Sequence, residues 1–97
     1  MDLKIKIHKE FISFRNEARN IQAEIKKELK KNSSPEIALD FSEVIFASRS
    51  FADELLNVIE EFSREGKKIY FINIKTDVKK LIFIVKRTKE KIRQETL

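Results

Sequence analysis

The stretch DFSEVIFASRSFADELL, residues 40 to 56, gathers the side chains of this 97-residue chain best suited to chemistry. Asp40, Glu43, Asp53 and Glu54 bring four carboxylates to one strand-to-helix corner. Paired carboxylates can move protons or hold a hard cation. A structural use competes with that one, because Asp53 and Glu54 in a first helical turn would complement the helix dipole. Between the apolar run and the helix stand Ser48, Arg49 and Ser50, where a plain connection would use Gly, Asn or Pro. Ser50 followed three residues later by Asp53 reads as a variant capping box, with the serine hydroxyl accepting from early helix amides. That accounts for Ser50 and leaves Ser48 and Arg49 without a structural role. Arg49 at such a corner would offer a planar, bidentate donor to a partner carboxylate or phosphate.

Other chemistries are excluded. There is no Cys, hence no disulfide, thiolate metal site or cysteine nucleophile. His8, the single histidine, ends a lysine-rich strand and reads as a surface residue, with no second His or Cys to build a metal site. Gly66 is the one glycine, so neither a P-loop nor a dinucleotide fingerprint can form. The expectation is a non-enzymatic protein with no catalytic residue, metal or cofactor.

The elements that must position the corner follow from periodicity. DLKIKIH alternates apolar and polar residues, as a half-buried strand does. KEFISF is apolar but irregular. Phe14, Ala18, Ile21, Ile25 and Leu29 then recur at helical spacing, with Ser13 as the expected N-cap, and KKNSSP stops the helix at Pro35. EIALDF is a second strand, with Asp40 and Ser42 at its edge and VIF adding one more apolar step. A second helix should run from Ser50, with Phe51, Leu55, Val58, Ile59 and Phe62 inward, to a left-handed C-cap at Gly66. KKIYFINI carries apolar groups on both faces, as a central or doubly covered strand would. TDVKKLIFIVKRTKEKIRQ fits a helix capped by Thr76. LIFIV alone would also suit a short strand, but length and the charged continuation favour a helix to about residue 95. On it Phe83 and Ile84 fall partly off the inward stripe, either covering a neighbour or forming a contact patch, and they are the first candidates for a dimer seam. The order β-α-β-α-β-α predicts an α/β sandwich with a small mixed or parallel sheet, a right-handed parallel crossover between Ile37 and Ile74, and a single domain over residues 1–97.

Composition agrees, with 41% hydrophobic and 38% charged residues. No secretory h-region follows Met1 and no apolar run approaches a membrane span, so a soluble, cytoplasmic protein without a membrane partner is expected. The net charge of +5 is uneven. Residues 1–74 balance, and the whole excess lies in Lys75, Lys79, Lys80, Lys86, Arg87, Lys89, Lys91 and Arg93 against Asp77, Glu90 and Glu95. Such a segment can meet water, an acidic partner or nucleic acid. No aromatic rings are interleaved with it to stack on bases.

The pattern IALDFSEVIFASRSFADELLNVI resembles the strand-loop-helix signature of the STAS domain, the fold of bacterial anti-sigma factor antagonists and of sulfate-transporter tails. It is more similar still to the STAS-like family of unknown function with an LDF…SFADELL core. TDVKKLIFIV is similar to that fold's last helix, and the likeness covers about residues 36 to 85. In the antagonists an aspartate and two serines follow a Phe-Met pair at the start of the helix, and a partner kinase phosphorylates the second serine, which ends binding. The resemblance sets Phe46 on the family Phe, Ser48 on the aspartate, Arg49 on the first serine and Ser50 on the phosphoacceptor. Phe51 stands where the antagonists have Gly, and the first strand is single where they usually have two. The resemblance implies a regulatory module whose partner is a histidine-kinase-type ATPase or another signalling protein. Ser48, Arg49, Ser50 and Asp53 would be its binding residues. The reading from another class is a nucleic-acid-associated protein using Lys86, Arg87, Lys89, Lys91 and Arg93.

Overall fold

The computed structural model describes the backbone of residues 2–95 and the side chains of residues 2–92. In chain order the elements are β1 (Leu3–Lys6), β2 (Phe11–Ile12), α1 (Arg15–Lys31), β3 (Glu36–Asp40), β4 (Phe46–Ala47), α2 (Arg49–Arg64), β5 (Lys68–Ile72) and α3 (Thr76–Glu95). The architecture is the expected α/β one.

β1, β3 and β5 form a parallel sheet in that spatial order. Its register aligns Leu3, Ile37 and Ile69 in one row and Ile5, Leu39 and Phe71 in the next on the same face. That face joins the core with Ala18, Ile21 and Ile25 of α1, Phe51, Leu55, Val58 and Phe62 of α2, and Val78, Ile82 and Val85 of α3. Phe41 meets Phe71 edge to face, with ring centroids 5.2 Å apart. The opposite rows, Lys4–Ala38–Tyr70 and Lys6–Asp40–Ile72, make the other face.

The structure corrects the expected position of KKIYFINI: the central strand is β3, and β5 lies at the sheet's edge with its apolar side chains half-buried. Apolar residues on both faces of β5 do not require a strand on either side. The irregular KEFISF and the VIF step also gain an explanation. Phe11 pairs with Phe46 and Ile12 with Ala47, in a second parallel ribbon of two short strands. Strands of two residues show no periodicity of their own, and each exists only because the other is present. The first half of the chain therefore has two strands before α1, not one.

Three helix starts differ from expectation. α1 is preceded by Phe14 in extended conformation (φ −106°, ψ 147°), not capped by Ser13, and Phe14 is 69% exposed rather than inward. Phe14 has no side-chain acceptor, and Glu17 compensates. The Glu17 carboxylate accepts from the backbone N–H groups of Ser13 and Phe14 at 2.9 and 3.0 Å. α2 begins at Arg49, one residue early, with Ser48 as its cap. Thr76 is the first residue of α3 rather than the residue before it. Helix ends match better. Gly66 takes φ +79°, Lys67 N–H donates to Phe62 C=O and Gly66 N–H to Ser63 C=O, the paired closure of a left-handed C-cap.

Candidate functional site

The corner rests on three backbone hydrogen bonds that lock β4 against β2: Ile45 and Phe46 N–H to Glu10 C=O, and Ser48 N–H to Ile12 C=O. Ser48 then closes the helix. Its backbone is extended (φ −82°, ψ 163°), its Oγ accepts from Phe51 N–H at 3.0 Å, and the same hydroxyl donates to Ser13 C=O. Half-buried Ser48 is thus used in both directions, as cap of α2 and as tie to the entry of α1.

This reverses the expected division of labour between the serines. Ser50 is not the cap; it lies inside the first turn of α2 and is exposed. Among the described residues its hydroxyl has no hydrogen-bond partner. Ser48 satisfies the amides of Phe51 and Ala52. The N–H groups of Arg49 and Ser50 therefore keep the donor capacity that a helix start leaves unmet. Arg49 is exposed and, among the described residues, forms no ion pair.

Asp53 and Glu54 fall in the second turn, so no acidic residue occupies the first. They bridge to other helices instead. Asp53 accepts from Lys89 at 2.7 Å and Arg15 at 2.6 Å, and Glu54 from Arg19 at 2.6 Å, with Arg15 at 3.4 Å. Arg19 continues to Glu61 at 2.8 Å. Lys89, then Arg15, hold the Asp53 carboxyl below its ordinary range, and Arg19, then Asn57, do the same for Glu54. The two negative charges that would oppose an anion at Ser50 are thus neutralised by cations. Around Ser50 a shallow depression is lined by Arg15, Arg49, Asp53, Thr88, Lys89 and Ile92.

The four corner carboxylates do not assemble. Asp40 is buried at the end of β3 and accepts from Ser42 N–H at 2.9 Å and from Asn73 at 3.2 Å. The Ser42 amide foremost, with Asn73 and Lys4, lowers its pKa. Glu43 pairs with Lys6 at 3.3 Å and with exposed His8 at 3.2 Å. Among the described residues no group of three or more His, Cys, Asp or Glu could hold a metal ion.

Sequence reasoning missed the apolar half of this surface. Phe11, Phe14, Ile45 and Phe46 are each at least half exposed around the β2–β4 ribbon. Phe46 and Ile45 continue into an open groove with Ala47, Arg49, Val78 and Leu81, between the corner and the start of α3. The available signal was the irregular apolar spacing around Phe11 and of the VIF step with Ile45 and Phe46, whereas Phe14 matched the helical stripe and gave no signal. Phe51, by contrast, is fully buried beneath the corner and belongs to the core.

A family model for the STAS domain matches residues 4–93. The chain belongs to the STAS domain family. No curated protein and no solved structure matches it. STAS domains generally serve as regulatory modules that interact with other proteins. In this STAS domain the strand-to-helix corner carries a capped helix start, exposed aromatic rings, and a serine hydroxyl and an arginine that have no side-chain partner among the described residues. Among the described residues no helix is long and apolar enough to cross a membrane.

Proposed function

We propose that this chain is a single, non-enzymatic STAS-like domain over residues 1–97 that regulates by binding another protein through the corner of Ser48, Arg49, Ser50 and Asp53. The partner is a histidine-kinase-type ATPase or another signalling protein, and Ser50 is the phosphoacceptor. The observation that carries the reading is the exposed Ser50 hydroxyl beside exposed Arg49, neither with a side-chain partner among the described residues, with Ser48 rather than Ser50 capping the helix. Exposed Phe11, Phe14, Ile45 and Phe46 supply the apolar contact that most protein interfaces centre on. A phosphate on Ser50 would add about two negative charges at a helix N-terminus flanked by Arg49 and Arg15, changing the charge a partner meets.

The test is an affinity capture with the wild type and an Arg49→Ala/Ser50→Asp variant, bound proteins being identified by mass spectrometry. Loss of one specific protein from the variant supports the corner, and identical partners for both chains sink it. Phosphorylation is read in the same captures, as a phosphate on the tryptic peptide holding Ser50. A nucleic-acid role for the basic helix has less support. Lys89 is engaged by Asp53, and the guanidinium of Arg87 lies over the ring of Phe83 at 5.9 Å. Lys86, Arg87 and Lys91 are exposed, and the side chain of Arg93 lies outside the described residues. Partners that co-purify with nucleic acid and wash off steeply as salt rises would favour that reading.

A further inference from the structure

We propose that the open edge of β5, with the apolar groove beside it, accepts an extended acidic segment of a protein partner as an added strand. This second surface contains none of Ser48, Arg49, Ser50 and Asp53, and Lys89, which is held by Asp53, is the lining residue common to the groove and the depression around Ser50. Lys68 N–H donates to Pro35 C=O at 2.8 Å, and Ile72 C=O accepts from Phe41 N–H at 3.0 Å. The polar backbone of Lys68, Tyr70 and Ile72 therefore faces β3. By the alternation of a strand, the N–H and C=O groups of Ile69 and Phe71 face outward, where the sheet ends. An edge of this kind is a template for a further strand, and proteins usually blunt it with charge or cover. Here the only charged residue within β5 is Lys68, at its start.

Side-chain space accompanies the backbone groups. Leu56 and Ile59 of α2, Ile69 and Phe71 of β5, and Ile82 and Phe83 of α3 line an open groove of about 450 Å³. Alternate side chains of an added strand would point into it, the arrangement by which edge-strand recognition combines affinity with selectivity. The rim sets the sign of the occupant. Lys79 and Lys86 line the groove and, among the described residues, neither has an ion-pair partner; of the acidic lining residues Glu60 and Glu90, Glu60 is paired with Arg64 at 3.0 Å. A second copy of the chain docked across a two-fold axis would bring these lysines toward one another, so like charge opposes self-pairing. An alternating acidic and apolar segment satisfies backbone, groove and lysines together.

The full-length ¹⁵N-labelled protein is titrated with a capped Asp-Ile-Glu-Val-Asp-Ile-Glu heptapeptide, its Lys-for-acid counterpart, and an acidic version N-methylated at alternate amides. The expected result is shifts and slowed amide exchange at Ile69 and Phe71 with the acidic peptide alone. A Lys79→Glu/Lys86→Glu variant, both positions being exposed, weakens acidic binding roughly five- to tenfold and gains binding to the basic peptide. Three results overturn the proposal: no change at Ile69 and Phe71 at millimolar peptide, equal binding of the methylated peptide, or a dimer in sedimentation that buries this edge. The Arg49→Ala/Ser50→Asp variant, whose two positions lie outside the groove, leaves the titration unchanged, so it stands or falls separately from the Ser50 reading.

Discussion

Lys89 of α3 and Asp53 of α2 meet at 2.7 Å, and Arg15 of α1 meets the other oxygen of the same carboxylate at 2.6 Å. One carboxylate thus joins all three helices beside the exposed serine. With Asp53 28% exposed and Lys89 21%, the pair is better shielded than most surface ion pairs. Lys89→Ala should cost about 1 kcal/mol in urea unfolding, and Asp53→Ala somewhat more because it releases two cations. If both variants unfold at the wild-type midpoint, the hub has no part in holding α3.

Acid should loosen the same hub. The folded-state values of Asp53 and Glu54 lie below the ordinary 3.8 and 4.5, so the unfolded chain binds protons more readily. Their contribution is complete above those ordinary values and is lost as pH falls from there through the lowered folded values. Thermal melts between pH 6 and pH 2.5 should show it, and Asp53→Asn should flatten part of the decline. An unchanged acid limb in that variant would place the sensitivity elsewhere.

The two serines should separate cleanly. Ser48→Ala removes a helix cap and the tie to Ser13, a loss of about 1–2 kcal/mol. Ser50→Ala touches an exposed hydroxyl and should stay within about 0.5 kcal/mol of the wild type. Chemical denaturation decides, and the reverse ranking would restore Ser50 as the cap.

Phe51→Ala empties a fully buried position beneath the corner and should cost about 3–5 kcal/mol. Gly66→Ala meets no atom within 4 Å, so its cost is the positive φ alone, about 1–2 kcal/mol. A Phe51→Ala loss below that of Gly66→Ala would mean the site collapses around the missing ring.

Much of this fold was legible because its longer elements obey one period each. Ile21 and Ile25, or Leu55 and Phe62, announce a buried helix face wherever they occur, and Gly66 is the one residue suited to its backbone. The corner was harder. Ser48 and Ser50 are both good caps, and the choice depends on Ser13, a residue 35 positions from Ser48 whose carbonyl receives the Ser48 hydroxyl. Likewise Phe11 and Phe46 are strand residues only through each other. The exposed edge of β5 was hidden by its own composition, since apolar residues on two faces also describe a central strand.

The β2–β4 ribbon joins residues far apart in the chain with only two register pairs, and the anchoring carbonyls belong to Glu10 and Ile12. Such contacts require a long loop to close for little immediate return, so they should form late in folding and open early in the native state. Amides of Ile45, Phe46 and Ser48 should therefore exchange with deuterium faster than those of β3, at rates insensitive to mild denaturant. The consequence concerns timing. With that exchange pattern, the ribbon beside Ser50 would be completed late and released early, and a partner that clasps it would bind the finished fold in preference to its precursors and slow its opening.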